Sequence, residues 1–548
     1  MSNPMISRRS FGLGAATAAV LLASGCGSDT SAGDDASSDS AGEGAASGGR
    51  LTLAYNSDGP HKAWVEAVCN SVSNTLGMSM EPLPYAQFSE LRQQVTDGTI
   101  VGAFRSGWQA DVPSMGDFLS NSFKTGAGAN DVQYSSAAVD DLLDRATQTM
   151  DDDEAFDLYT QVQEQLFADL PVIPLWYQNG FGGYSTNVSN VTFGWNAMPR
   201  YEAVTTTAAG GVVRVNDAEP QNPLVPTNTN ETGGGRIVDL LFAGLVSYEA
   251  DGSVKNEVAK SIETDDNQNF TVELEDGWTF SDGSPVTADS FINAWNYGAR
   301  LGNKQLNSSY YEIIEGFSDE EDRETLTGLE KIDDLTFTIR LKAPSSDLRL
   351  RLGMAAFYPL PESAYDDMEA FGAAPIGNGP YSMTTWDHNS QVVLTKSATY
   401  QGNRQAQNEG VTFVIYTDYD AAYNDLRSNS LDVLDAIPNS ALSSFTDDLG
   451  DRAINQPGAV IQCFAIRTDV EHWKMDDEGR ARRAALSRAI NRKQICDTLY
   501  YSTRTPASDF TSPAIHGWTD RIPGNEVLQY DETEAKNQWA NAEAIAQY

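Results

Sequence analysis

The chain has 548 residues, of which 40% are hydrophobic and 10% aromatic, so most of it is expected to fold. This length exceeds a single core and allows about three to four domains, or two large lobes. The 36 Lys and Arg residues against 77 Asp and Glu residues give a net charge of −41. That charge disfavours nucleic acid and anionic membrane surfaces as partners, because both would repel the protein.

The N-terminus carries an export signal. Arg8 and Arg9 precede a short apolar run that ends at Cys26, and residues 1–26 have the pattern of a signal peptide. The stretch "SRRSF" is similar to a twin-arginine signal. "LLASGC" resembles a bacterial lipobox, in which Cys26 would carry the lipid, although Ala23 stands where leucine is commoner. The alternative is an ordinary cleavage site with an incidental cysteine.

Residues 27–50 are expected to form a disordered tether. This stretch is rich in Gly, Ser, Ala and Asp and has almost no apolar content to offset its ordering entropy. It would link a lipid anchor to the folded body. No later segment has the uninterrupted apolar length that a transmembrane helix needs.

The body begins with a mixture of strands and helices. "RLTLAYN" predicts a strand, and the next segment predicts an amphipathic helix that ends at Gly77. Further helices are predicted at "FSELRQQV", at "VDDLLDRA" and over 153–169, before a buried strand at 172–179.

A small-residue connector, "TTTAAGG" at 205–211, separates this part from the rest of the chain. Beyond it, "FTVELEDG" and "FTIRLKA" alternate as strands do, and a helix is predicted after Thr287 as its N-cap. "DEGRARRAALSRAINRKQICDTLY" is predicted as a helical segment, and the final segment as helical to Tyr548. The pattern predicts an α/β or α+β body.

Three cysteines follow the lipobox, at positions 69, 463 and 496. An odd number in an oxidising compartment allows one disulfide and one free thiol, or three buried thiols. The sequence does not choose between them.

Several blocks resemble the extracellular solute-binding proteins of peptide, oligopeptide and nickel ABC importers (family 5). "LEDGWTFSDGSPVTADSFINAWNYG" is similar to the family's strand, turn and helix block, and "GNGPYSMTTWDHNSQVVLTKSATYQGN" to its later hairpin. "RRAALSRAINRKQI" and "LLFAGLV" match two further elements. "GWQADVPSMGDFL", "VDDLLDRA" and "LFADLPVIPLWY" resemble the C-terminal part of the family.

The order of these blocks is unusual, because the late blocks stand before the early ones. The resemblance therefore implies an α/β, two-lobed periplasmic-binding-protein-like fold of type II with an extra small domain, in circularly permuted order. Two truncated, unrelated halves are the alternative. Close termini make a permutation physically reasonable. The predicted parts are the signal peptide (1–26), the tether (27–50), the second lobe (51–175), a return to the first lobe with linker (176–211), the first lobe with the extra domain (212–463) and the remainder of the second lobe (464–548).

The segment "RSGWQAD" matches the ligand-binding positions of the peptide-binding members. The resemblance places Asp111 where the α-ammonium group of a peptide binds, and a charge-assisted bond there is worth about 1.5–3 kcal/mol. Trp108 would present its ring to the ligand, and Arg105 would pair with carboxylates. The structural alternatives are that Asp111 caps a turn, Trp108 belongs to the core and Arg105 forms an internal salt bridge.

On the first lobe, Phe242, Gly244 and Leu245 stand where the family approaches its ligand. Ala243 replaces an acid that many members carry, so any contact made by that acid is absent here. This leaves the ligand specificity open.

The implied function is that of a substrate-binding lipoprotein of an ABC importer, which closes two lobes on a peptide and delivers it to the permease subunits. The protein is expected at the outer face of the cytoplasmic membrane, as a monomer. No cofactor, metal ion, nucleic acid or catalytic residue is expected.

Two other functions are weighed against this one. A secreted hydrolase has little support, since the sequence has no G-x-S-x-G elbow, P-loop or H-E-x-x-H motif, and its four histidines lack metal-ligand spacing. His61, beside Pro60, is predicted in a surface loop. Binding of a nickel chelate, a sugar or an opine on the same fold stays open.

Overall fold

The computed structural model describes the backbone of residues 46–47 and all of residues 50–547. The predicted signal peptide, its Cys26 and most of the tether lie outside the described residues. Within the described part of the chain, no helix combines the length and apolar character needed to cross a membrane.

The first third of the body alternates strands and helices as its sequence patterns predict. In α1 the apolar face of Trp64, Val65, Val68 and Val72 is buried, and Gly77 ends the helix with φ 72°. The elements are β1 (Ala46–Ser47), β2 (Arg50–Asn56), α1 (Lys62–Leu76), β3 (Ser79–Tyr85), α2 (Phe88–Thr96), β4 (Ala103–Gln109), α3 (Met115–Phe123), α4 (Ala137–Gln148), α5 (Asp152–Asp169) and β5 (Val172–Tyr184).

The middle of the chain is richer in short strands. Thr287 is the N-cap of a capping box with Ser290, as its position predicts. The elements are β6 (Val188–Ser189), β7 (Thr205–Thr206), β8 (Val212–Asp217), α6 (Thr232–Leu241), β9 (Val246–Tyr248), β10 (Val254–Asn256), β11 (Ala259–Thr264), β12 (Asn269–Leu274), α7 (Ala288–Ala299), β13 (Leu329–Lys331), β14 (Thr336–Arg340), α8 (Leu348–Arg351), α9 (Met368–Ala373), β15 (Tyr381–Asp387), β16 (Gln391–Lys396) and β17 (Gly410–Ile415).

The last part contains α10 (Tyr419–Arg427), β18 (Val433–Leu434), α11 (Phe445–Leu449), β19 (Ala453–Ile466), α12 (Asp477–Arg488), α13 (Arg492–Leu499), β20 (Arg504–Pro506) and α14 (Glu532–Ile545). The helical segment predicted over 477–500 is divided into α12 and α13. The division follows from Asn491, whose side chain accepts a hydrogen bond from the backbone N–H of Gln494 (3.1 Å) and so begins a new helix.

One mixed sheet of 12 strands runs through the described part of the chain. Its order is β1-β2-β4-β19-β5-β18-β8-β17-β16-β15, with β3 beside β2 and β20 beside β5. The long antiparallel strands β5 and β19 pair from Gly183 opposite Ala453 to Val172 opposite Ala465. A second, four-stranded antiparallel sheet has the order β11-β12-β14-β13.

Three large apolar cores surround these sheets. Core I is built from residues between 188 and 433 and contains Trp295 and Phe337. Core II and core III cover opposite faces of the sheet formed by β2, β4, β19 and β5. Successive residues of one strand alternate between them, so Leu53 faces core III and Ala54 faces core II. A smaller cluster lies around α10 and α11.

Elements of core I also contact elements of core II at the C-terminal end of α4. The side-chain amide of Asn267 donates to the carbonyls of Gln148 (3.3 Å) and Thr149 (3.0 Å). The backbone N–H of Ser346 donates to the carbonyl of Thr147 (3.1 Å). The last carbonyls of an isolated helix have no hydrogen-bond partners. Here, donors from the core I side of the molecule bond the last carbonyls of α4, on the core II side.

The three cysteines of the body, Cys69, Cys463 and Cys496, are buried free thiols, the second of the two arrangements that the sequence allowed. The prediction for His61 is wrong. Its side chain is buried and its Nδ1 accepts a hydrogen bond from the indole N–H of Trp64 (3.1 Å). Burial, with Arg105 nearby, lowers the pKa of His61 to about 3, so the ring is neutral.

Candidate functional site

The site is organised by the turn between β4 and α3. β4 ends at Gln109, and Ser114 caps α3 by accepting a hydrogen bond from the N–H of Gly116 (3.1 Å). Asp111 lies between the two elements. Because Ser114 is the cap, the side chain of Asp111 is not required for that role.

A cavity of about 300 Å³ borders Asp111. Its wall combines Asp111, from the turn after β4, and the core II residues Trp195 and Tyr248 with Arg236, Tyr358 and Arg404 from the core I side of the molecule. This volume is at the lower end of the range found for small-molecule sites. The location fits the prediction that Asp111 faces a space between two halves.

A residue from the core I side of the molecule also contacts Asp111. The hydroxyl of Tyr310, which packs against core I, donates to Oδ1 of Asp111 (3.3 Å). Nearby, the rings of Trp195 and Tyr248 meet edge to face with centroids 5.5 Å apart. Aromatic side chains therefore lie near Asp111, and one of them, Tyr310, bonds its carboxylate.

The far wall of the cavity contains two arginines held by carboxylates. Arg236 donates to Oδ1 of Asp217 (3.1 Å) and to Asp435. Burial works against the charge of Arg236, but Asp435 and Asp217 outweigh it, and its pKa lies above the usual range. The far wall of the cavity therefore holds fixed ion pairs.

Arg404 is the second of these arginines. Its guanidinium donates to the carbonyls of Asp239 (2.8 Å) and Phe242 (2.6 Å) and lies 3.2 Å from Oδ2 of Asp239. The hydroxyl of Tyr358 donates to the other oxygen of Asp239 (2.8 Å). This network fixes the ring of Tyr358 at the cavity.

Trp108 and Arg105 border a different, smaller cavity of about 50 Å³. Trp108 is buried and lies there among Phe88, Phe118 and Phe123. Arg105 donates from Nε to Asn56, and its guanidinium carbon is 4.9 Å from the centroid of the Phe88 ring. Burial lowers the pKa of Arg105 to about 10, with Asp58 acting in the opposite direction. The structure therefore divides the three predicted residues between two cavities.

The three predicted residues of the first lobe lie behind the cavity wall. Phe242 and Leu245 have no exposed surface and belong to core I. The Phe242 ring stacks on Tyr358 with centroids 6.4 Å apart. A Cβ on Gly244 would lie 2.9 Å from the Leu352 carbonyl and from the Tyr358 ring. Phe242 and Gly244 therefore lie against Tyr358, and none of the three residues lines the cavity itself.

Sequence reasoning missed most of the far wall. Arg236 meets Asp217 and Asp435, which lie 19 and 199 positions away in the chain. No local motif marks a buried arginine whose partners are so distant. The glycine-rich start of α6, "TGGGR", is the nearest signal in the sequence, and it points to a helix start and not to a binding wall.

Comparison with known proteins gives one family and a set of relatives. Bacterial extracellular solute-binding proteins, family 5 (middle region), match residues 253–546. The oligopeptide-binding protein OppA of Bacillus subtilis (strain 168) is 23% identical over 316 residues, covering 55% of this chain and 56% of that protein. The periplasmic oligopeptide-binding protein OppA of Escherichia coli (strain K12) is 25% identical over 315 residues, covering 56% and 57%. The chain thus spans about half the length of the curated relatives that it matches.

Among solved structures, the unliganded open form of the periplasmic murein tripeptide-binding protein MppA superposes with a TM-score of 0.56. The sequences are 21% identical, and the match covers 63% of this chain and 67% of that one. This likeness establishes the fold as that of a two-lobed periplasmic binding protein.

Proposed function

Since the chain belongs to the bacterial extracellular solute-binding proteins of family 5, we propose that it captures peptides in the cavity beside Asp111 and delivers them to the permease of an ABC importer. The observation that carries this proposal is the place of Asp111. Its carboxylate lies in the wall of a cavity that residues from the core I and core II sides line together. The hydroxyl of Tyr310, from the core I side, donates a hydrogen bond to one of its oxygens. The names of the oligopeptide-binding relatives support peptides as the ligand class.

The chemistry of Asp111 suits the N-terminus of a peptide. An α-ammonium group is a compact cation with three donors, and it needs acceptors once closure removes water. A carboxylate supplies such acceptors, whereas the arginines of the far wall are cations that only donate hydrogen bonds. We therefore propose that the positive end of the ligand lies at Asp111.

The smaller cavity is proposed to receive a side chain of the same ligand. It is lined mainly by aromatic and aliphatic residues, with Trp108 on the strand that leads to Asp111. Its volume of about 50 Å³ supports a small apolar side chain.

The test compares unblocked with N-acetylated peptides by calorimetry, with an equimolar pool of tripeptides as the probe. We expect acetylation to lower the affinity about 10- to 150-fold, which corresponds to the loss of one charge-assisted bond. Asp111→Ala should lower the affinity for the unblocked pool similarly. Asp276→Asn removes an exposed carboxylate outside the cavity wall and should leave binding unchanged. Equal binding of both pools would contradict the role of Asp111.

We further propose that Cys26 is lipidated after export and that residues 27–50 tether the protein to the membrane. The lipobox-like "LLASGC" supports this proposal. Metabolic labelling with a radioactive fatty acid should label the wild type and not Cys26→Ser. Equal labelling of both would contradict it.

The permuted order of the family's blocks is also a proposal. It is supported by Leu51, near the start of the body, and Trp539, in α14, which both lie in core III. A chain that starts at residue 212, joins 547 to 50 through a short Gly-Ser linker and ends at 206 should fold to the same near-ultraviolet circular dichroism spectrum. Loss of that spectrum would contradict the permutation.

A further inference from the structure

We propose that Asp117 is a positioning residue for ligand binding, which holds Trp108 and Asp111 in a fixed relation without touching the ligand. The inference rests on the proposed role of Asp111. Asp117 lies in the first turn of α3 and is 2% exposed. It lines neither cavity, whereas Trp108 lines the smaller and Asp111 the larger.

A single oxygen of Asp117 joins the two residues. Oδ2 accepts a hydrogen bond from the indole N–H of Trp108 (2.8 Å) and another from the backbone N–H of Asp111 (3.0 Å). The first contact fixes the plane of the Trp108 ring, and the second fixes the backbone that carries the Asp111 carboxylate. Positioning residues of this kind set the geometry of a site through the groups that they hold.

The second oxygen is held from its own helix. Oδ1 accepts a hydrogen bond from the side-chain amide of Asn121 (3.2 Å), one turn further along α3. Three donors therefore surround one carboxylate. A leucine at position 117 has nearly the same size but no acceptor, so it leaves the N–H groups of Trp108 and Asp111 without this partner, whereas an asparagine can keep both bonds with its amide oxygen.

The protonation state of Asp117 is coupled to the binding of a cation at Asp111. Burial, together with the neighbouring carboxylate of Asp111, raises the pKa of Asp117 to about 7, although the Trp108 hydrogen bond and Arg351 on the core I side oppose this shift. Arg351 is itself paired with Asp347 (3.1 Å), and Tyr248 also faces this group. A cation bound at Asp111 favours the ionised form of Asp117, so affinity for a cationic ligand should rise as pH rises through about 7.

The experiment measures binding of the unblocked tripeptide pool to the wild type, Asp117→Leu, Asn121→Ala and Asp111→Ala between pH 5.5 and 7.5. In this range a peptide α-ammonium group, with a pKa of about 7.7–8.0, stays mostly protonated. We expect Asp117→Leu to lower affinity about 5- to 20-fold at pH 7.5 and to flatten the pH dependence. Asn121→Ala keeps both Oδ2 contacts and should change affinity no more than about twofold.

A readout without ligand guards against a general folding defect. Hydrogen exchange of the Trp108 indole N–H, followed by NMR, should be faster in Asp117→Leu and unchanged in Asn121→Ala, while other tryptophans keep their wild-type rates. Wild-type exchange and wild-type affinity in Asp117→Leu would each overturn the positioning role.

The two proposals fail in different ways. If Asp111→Ala loses affinity and Asp117→Leu does not, the positioning role is wrong and the proposed function stands. If Asp111→Ala binds as the wild type does, the proposed function is wrong, and unchanged Trp108 exchange in Asp117→Leu would then overturn the positioning role as well.

Discussion

Two regions of the molecule each enclose a pair of arginine side chains, and the charges of the two pairs are compensated in different ways. In α12 and α13, Arg483 and Arg492 are fully or almost fully buried. Beside the cavity, Arg404 is buried and Arg236 is nearly so, and both lie next to carboxylates. The first region uses arginine to tie backbone segments together, whereas the second uses it to build a charged wall.

Arg483 illustrates the first solution. Its guanidinium donates to the carbonyls of Leu170 (3.1 Å), Pro171 (3.1 Å), Ile466 (3.0 Å) and Trp473 (2.6 Å). Carbonyl dipoles compensate the charge only in part, and burial lowers the pKa of Arg483 to about 9. Arg492 donates mainly to carbonyls as well, and its pKa is lowered to about 9 for the same reason.

The cavity wall illustrates the second solution. The pKa values of Arg236 and Arg404 are raised although burial opposes their charge, because carboxylates stand beside them. The comparison indicates that a carbonyl-bound arginine is a structural cross-link that stays charged below about pH 8, while a carboxylate-bound arginine leaves titratable groups behind when it is removed.

The largest effect should come from Arg483→Met. This change leaves at least four buried carbonyls without donors, and we expect a loss of about 3–5 kcal/mol in the free energy of unfolding. The loss should be the same at pH 5.5 and pH 8, measured by denaturant titration. Lys493→Met, in the exposed pair with Asp497, is the control and should change stability by less than about 0.5 kcal/mol. A loss for Arg483→Met that depends on pH would break the comparison.

Arg236→Met should follow, with a loss of about 2–4 kcal/mol at pH 8 that becomes smaller at pH 5.5. Burial already raises the pKa of Asp217 to about 7, and Arg236 is the group that opposes this. Without Arg236 the folded state holds protons that the unfolded state has released, so stability falls as pH rises. Thermal denaturation at both pH values measures it, and an equal loss at both would contradict the expectation.

Asp509→Asn should give the smallest of the three effects, about 1–2 kcal/mol. Asp509 is buried in the same half as Arg483 and accepts hydrogen bonds from the Tyr177 hydroxyl (2.6 Å) and from Thr511. Burial raises its pKa to about 6, so it stabilises the fold at low pH and loses that contribution as pH rises through 6. The melting temperature of the wild type should therefore fall more than that of Asp509→Asn between pH 4.5 and pH 7.

The sequence predicted the positions of helices and strands better than it predicted which of their charged residues are buried. Apolar spacing identified α1 and α5, and Thr287 identified the start of α7, because these signals act over a few residues. The division between α12 and α13 was missed, since a long run of helix-forming residues conceals the cap at Asn491.

The candidate site was predicted in part for the same reason. Resemblance to a family located Asp111 at the cavity, but the partners of Arg236 and Arg483 are long-range contacts. Arg483, for example, reaches Leu170 across 313 positions. A charged residue in a helix is usually solvated, and only the folded chain reveals which one is buried.

The long strands β5 and β19 have a consequence for how this protein unfolds. At one end of this strand pair β5 is bonded to β18, and at the other end β19 is bonded to β4. The two strands therefore run continuously from the core I side of the molecule to the side of cores II and III. A protease cut or a truncation between the halves would remove hydrogen-bonding partners from both. We therefore expect heat to melt the whole body in one calorimetric transition.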